Sequence, residues 1–137
     1  MTTDRAEVFE WLATGPRWGR LATIGPDGFP HAVPLSFLVE DDSVLINLSG
    51  QRLANVRRNP KICFVVDSGS SMADLKGAVL QGTAEMIEDY DERVRLAQAG
   101  ARKRGVAEAD LPTSVAEDRY YLRLRPQKIA TWDYAKR

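Results

Sequence analysis

Few residues in this chain suit metal or nucleophile chemistry. Of its 137 residues one is a histidine, His31, and one a cysteine, Cys63. A structural or catalytic metal site needs three or four ligands at defined spacing, and no cluster of His, Cys, Asp and Glu supplies them. The GxSxG elbow and the GxxxxGK[ST] phosphate loop are also missing, so the hydrolase and nucleoside-triphosphatase classes lose their residues. Charge of one sign is absent too, since 19 Lys and Arg balance 19 Asp and Glu. A neutral chain has no field to recruit nucleic acid or an anionic membrane, and any anion site must be local. No apolar run approaches the ~20 residues that span a bilayer. The start, MTTDRAEVFEWL, lacks the basic and apolar regions of a signal peptide. The expectation is a cytoplasmic protein. Cys63 falls inside the apolar run ICFVV, which favours a reduced, buried thiol over a nucleophile.

What is present is a strand pattern. The length suits one domain able to bury a core without disulfides, and neither repeats nor low-complexity tracts divide it. Residues 4–13 place Val8, Trp11 and Leu12 at helical spacing, with Thr3 or Asp4 as cap and Gly15-Pro16 as stop. An extended run at 18–24, the turn Gly25-Pro26-Asp27-Gly28 and a second run at 29–39 make a hairpin. Pro30 and Pro34 each remove a ladder donor, which predicts an edge strand, a bulge, or backbone offered to a ligand. VLINL is a third strand, and a helix of about two turns follows Ser49-Gly50 and ends at Asn59-Pro60. KICFVVD and KGAVLQGTAEMIED are further strands, the latter with Gly77 and Gly82 predicting bulges or a sharp bend. A polar helix at 90–104 and a loop at 105–118 precede the last strands, RYYLRL and KIATWDY. Six or seven strands with short connections and inserted helices predict a mainly β fold, an antiparallel barrel with peripheral helices.

One constellation offers chemistry. Ser49, Gln51 and Arg52 open the short helix, where hydroxyl, amide, guanidinium and free backbone N–H groups suit a phosphate. A capping serine beside a solvated arginine accounts for the same residues. His31, at the start of the second strand, either contacts a phosphate or faces solvent.

Four blocks carry a resemblance over most of the chain: LATIGPDGFPHAVPLSF, INLSGQRLANVRRNPKICFVVD, LQGTAEM and YLRLRPQKIATWD. Together they resemble the flavin and deazaflavin split-barrel proteins related to pyridoxamine 5'-phosphate oxidase. The resemblance implies a six- to seven-stranded antiparallel split β-barrel, a single cofactor-binding domain over residues 1–137, and a homodimer with cofactor clefts at the subunit interface. It places His31 where the oxidase branch has an arginine, and Val33, Pro34, Leu35 and Ser36 along the isoalloxazine-type ring. It sets Gln51 and Arg52 at that branch's Arg-Lys pair on the FMN phosphate, and Asn47, Leu48 and Ser49 beneath the cofactor tail. Gln81 falls on a cofactor-facing strand, and Trp132 matches an aromatic near the ring.

With two cations replaced, Arg52 is left as the main anchor. The FMN monoester carries nearly two charges and calls for several charge-assisted partners. The singly charged phosphodiester of the deazaflavin coenzyme F420 asks for fewer, and Arg57, Arg58 and Lys61 are placed either to meet its tail or to form a solvated basic face. The reading is therefore an oxidoreductase moving a hydride between F420 and an unknown small organic molecule. FMN is the alternative cofactor, and a non-catalytic cofactor- or haem-binding protein is the third reading. No obligatory catalytic side chain is evident; Ser36, Tyr134 and Lys136 are placed either to donate a proton or orient substrate, or simply to form the barrel rim.

Overall fold

The structure is a computed structural model that describes residues 4–136, and side chains over residues 4–135. Thr3 as a cap and the Lys136 side chain as a donor therefore lie outside the described residues. Asp4 caps the first helix, α1 (Arg5–Thr14), its Oδ1 accepting from the Ala6 N–H at 2.8 Å. Val8, Phe9 and Leu12 are buried, and Trp11 packs against the core from the side.

Nine strands follow in two antiparallel sheets. The first contains β1 (Trp18–Ile24), β2 (Pro30–Ser36), β5 (Lys61–Ser68), β6 (Lys76–Thr83) and β9 (Lys128–Asp133), in the order β2-β1-β5-β6-β9. The second contains β3 (Leu38–Glu40), β4 (Ser43–Leu48), β7 (Glu85–Ile87) and β8 (Tyr120–Leu124), in the order β3-β4-β8-β7. Helix α2 (Gly50–Arg58) links β4 to β5, and α3 (Tyr90–Lys103) precedes a loop with one short turn at Glu108–Asp110.

The seven expected extended runs become nine strands because two of them change sheet. Between β2 and β3 the chain buries Phe37, 3% exposed, which meets Phe64 edge-on with ring centroids 5.2 Å apart. Between β6 and β7 it buries Ala84, whose N–H donates to the Pro60 carbonyl at 2.8 Å. A strand that turns its backbone inward at one residue continues in the other sheet, which is how two sheets close over one core. That core lies between them: Leu21, Phe64, Leu80 and Ala78 from the five-stranded sheet meet Val44, Ile46, Leu48, Leu122 and Leu124 from the other, with α1 and Val56 of α2 closing it.

The prolines act as expected, since β2 pairs only with β1 and forms the sheet edge. The expectation at Gly77 and Gly82 is corrected. Strand β6 pairs with β5 without a break from Lys61↔Thr83 to Ser68↔Lys76, so neither glycine is a bulge. Each instead admits a side chain: a Cβ on Gly77 would lie 2.3 Å from Cζ2 of Trp132, and one on Gly82 would lie 2.9 Å from Cδ1 of Leu124. Cys63 is also corrected, being half-buried rather than enclosed, because it alternates onto the outer face of the sheet. Burial still pushes its thiol above the ordinary value, against a lowering hydrogen bond with Gln81. No helix among the described residues is long and apolar enough to cross a membrane.

Candidate functional site

Helix α2 begins at Gly50 with φ +59°, a left-handed conformation that glycine adopts without strain. Ser49, in extended conformation before it, makes no capping hydrogen bond with its side chain. The capping-serine account is therefore not what this side chain does, and its hydroxyl stays available beside the helix N-terminus. The helix is held from below by Asn55, fully buried at 0% exposure. The Asn55 amide donates to Thr23 Oγ1 at 3.0 Å, while its Oδ1 accepts from Gln51 Nε2 at 2.7 Å and from Arg58 at 3.2 Å. Thr23 pairs with His31 across β1 and β2. Arg52, one turn before Asn55 and Val56, shares their face of α2. One hydrogen-bonded unit thus links the helix carrying Arg52 to the strand pair carrying His31.

Two polar atoms of this region are buried and unpaired: His31 Nδ1 and Arg52 Nε. Trp132 Nε1 is a third. Burying a polar group without a partner costs about 1–3 kcal/mol, so such atoms fit a site whose polar partner is a ligand. The two other arginines of α2 are engaged. Arg57 pairs with Glu88 at 2.8 Å and stacks 4.7 Å from the Tyr120 ring, and Arg58 donates to the Ile24 carbonyl. Gln51 is committed to Asn55. Lys61 is exposed, with no acidic partner among the described residues, and lines a groove with Gln81 and Lys128.

The remaining candidates divide by strand parity. His31, Val33 and Leu35 point inward from β2 and are half-buried, whereas Pro34 and Ser36 point outward. Gln81 and Trp132 lie on the same outer face, since Cys63 pairs with Gln81 and Gly77 with Trp132. Leu48 is fully buried in the core and is a support rather than a contact surface. Asn47 is half-buried and meets Ser36 at a cavity that also includes Phe37, Leu45 and Tyr121. Within one chain, then, the elements carrying His31 and Arg52 are joined through Thr23 and Asn55, Ser36 and Asn47 line one cavity, and Gln81 and Trp132 share the outer face, with Trp132 opposite Gly77, four positions along β6 from Gln81. Asn55 and Thr23 were not singled out from the sequence. An asparagine one residue before an apolar Val56 on a short helix was the available signal. No group of three or more His, Cys, Asp or Glu among the described residues could hold a metal ion.

Comparison with known proteins agrees with this fold. The family model described as pyridoxamine 5'-phosphate oxidase matches residues 5–133. A curated relative, the 5a,11a-dehydrotetracycline/5a,11a-dehydrooxytetracycline reductase of Streptomyces rimosus, is 29% identical over 123 residues, covering 84% of this chain and 73% of the relative. Among solved structures, a conserved hypothetical protein of Mycobacterium tuberculosis superposes with TM-score 0.82 at 25% identity, covering 99% of this chain and 88% of that one. A structure described as an F420 reductase superposes with TM-score 0.70 at 20% identity, covering 88% and 94% of the two chains. The chain belongs to the pyridoxamine 5'-phosphate oxidase family and is an oxidoreductase of split-barrel fold.

Proposed function

We propose that the protein is an F420-dependent oxidoreductase that passes a hydride between the deazaflavin and a small organic molecule. When bound, such a coenzyme supplies the hydride chemistry at its ring, and the protein supplies position and electrostatics. The observation that carries the reading is the buried, unpaired Nε of Arg52 on a helix that Asn55 and Thr23 join to the strand pair carrying the buried, unpaired Nδ1 of His31. Arg57 and Arg58 are both occupied, so a tail with a single charge is better matched than a phosphate monoester carrying nearly two. Arg52 would hold the phosphate together with the N–H groups at the start of α2, and Ser49 would add a hydroxyl.

The same reading takes the protein as a homodimer. The outer face of the five-stranded sheet presents Ala32, Ala22 and Cys63 in one row and Val65, Val79 and Ala130 in the next. These small apolar side chains, flanked in the same rows by Arg20, Gln81 and Lys128, make a surface suited to a second copy. Gln81 and Trp132 sit on that face, opposite to His31. Both groups can border one cleft if Gln81 and Trp132 come from the second copy, which supports a cofactor cleft shared between two chains.

The test is a fluorescence titration with F420 and with FMN, run beside light scattering for mass. Arg52→Ala is expected to weaken F420 by about 1.5–3 kcal/mol, the range for a hydrogen bond to a charged group. Tight FMN binding without response to F420 makes FMN the cofactor. Unchanged affinity in Arg52→Ala moves the anchor elsewhere, and a monomer that binds cofactor fully removes the shared cleft.

A further inference from the structure

A cavity of about 200 Å³ lies between the C-terminal half of α3, the β2–β3 corner and the outer face of the four-stranded sheet. That is below the ~300–1,000 Å³ of pockets for drug-sized ligands and suits a molecule of one or two rings. Three cations line it, Arg17, Lys103 and Arg104. None of them has a carboxylate partner among the described residues, in contrast to Arg20, Arg95, Arg102 and Arg125. Cations are common in the last turn of a helix, where they complement its dipole, and Arg102 fits that account by pairing outward with Glu108 at 2.9 Å. Lys103 does not. Its Nζ donates to the Phe37 carbonyl at 2.6 Å and lies 4.8 Å from the Phe37 ring centroid, which holds the ammonium at the cavity. Burial, and next the nearby Arg17, push that ammonium below its ordinary pKa, as expected for positive groups crowded without a counter-charge.

The walls are aromatic. Tyr121, 6% exposed, and Trp18, 58% exposed, both line it, together with Phe37. A flat ring between aromatic walls gains stacking, and an acidic group on it meets cations that have two or more unused donors. We propose that this cavity binds a small planar aromatic anion, an aromatic carboxylate or enolate. Its role as the substrate site rests on the oxidoreductase reading above.

Calorimetric titration of the purified protein with 2-naphthoate and with neutral 2-naphthamide tests the assignment. Naphthoate is expected to bind more tightly than the amide. Lys103→Met keeps the apolar stem over Phe37, and Arg104→Gln alters an exposed side chain. Each should weaken naphthoate about tenfold or more and leave the amide unchanged. F420 affinity should be unchanged in Arg104→Gln. Equal binding of acid and amide overturns the proposal, as does an Arg104→Gln variant that loses F420 and naphthoate together, because the cavity would then hold the cofactor tail. Selective naphthoate binding in a protein that takes up neither F420 nor FMN supports the anion site and sinks the oxidoreductase reading alone.

Discussion

Replacing Asn55 tests whether the candidate site is built on a buried polar junction. Asn55→Ala removes the donor to Thr23 Oγ1 and the acceptor used by Gln51 and Arg58. Gln51 is exposed and Arg58 keeps the Ile24 carbonyl, so both can turn to water or an existing partner. Thr23 is 1% exposed and cannot. A net hydrogen bond contributes ~1 kcal/mol, and a stranded buried hydroxyl costs ~1–3 kcal/mol, so the variant should lose about 2–4 kcal/mol. For a domain of this size each kcal/mol moves Tm by ~3–5 °C, giving a fall of about 6–20 °C. The deciding measurement is a double-mutant cycle by urea unfolding. Thr23→Val alone leaves the buried Asn55 amide without its acceptor and should be costly. In the Asn55→Ala background the same change removes the stranded hydroxyl and should be nearly neutral or stabilising. The coupling should reach ~1–2 kcal/mol, and additivity within ~0.5 kcal/mol would refute the junction. Because Asn55 seats the helix that carries Arg52, the single variant should also weaken cofactor binding at temperatures where it remains folded.

Two further outcomes follow from the packing and the surface charges. Gly77→Ala places a methyl where the Trp132 ring now lies, 2.3 Å from Cζ2; it should cost about 1–3 kcal/mol and change Trp132 emission, measured as a difference against Trp132→Phe, and unchanged stability and emission would exclude the contact. Arg95 donates to both Glu40 oxygens, at 2.7 and 2.8 Å, and holds the carboxyl below its usual pKa of 4.5. Stability from this pair is present above the unfolded pKa and is lost as pH falls through the lower folded value. The wild-type advantage over Glu40→Gln, under ~1 kcal/mol because the partners are partly exposed, should therefore shrink between about pH 6 and about pH 3, and an advantage independent of pH would contradict the assignment.

Local rules were sufficient where one residue decides one feature. Asp4 caps α1, Pro30 and Pro34 put β2 at an edge, and Asn59-Pro60 end α2. Sequence was silent where the decision belongs to distant groups. The corners at Phe37 and Ala84 depend on which core has room for those side chains, and the run through them alternates without interruption. Gly77 signals a special position, yet whether it bulges or admits a ring depends on Trp132, 55 positions later by the numbering. Arg57 and Arg58 look alike beside Arg52 in LANVRR, and only the positions of Glu88, Tyr120 and Ile24 separate the engaged cations from the free one. Asn55 and Thr23 are 32 residues apart, so no local pattern joins them.

Under the proposed shared cleft, the period of two along β2 leaves the site of one chain incomplete. His31, Val33 and Leu35 face inward toward the α2 side, while Pro34 and Ser36 face outward with the apolar rows of the sheet. No side-chain rearrangement moves Gln81 or Trp132 through the sheet to the His31 face, because parity fixes them on the other side. The two prolines also withhold N–H groups from any strand that would add to the β2 edge, so that edge is protected from extension. A second copy packed face to face, not edge to edge, would leave the β2 edge open and bring the opposite-face residues of the two chains to a common border. In that proposed arrangement the Arg52 guanidinium would stand at the rim of a cleft whose other wall is a second copy of the chain. On that basis loss of the dimer and loss of the cofactor should occur together, even though Arg52 and the outer-face residues lie on opposite sides of the sheet.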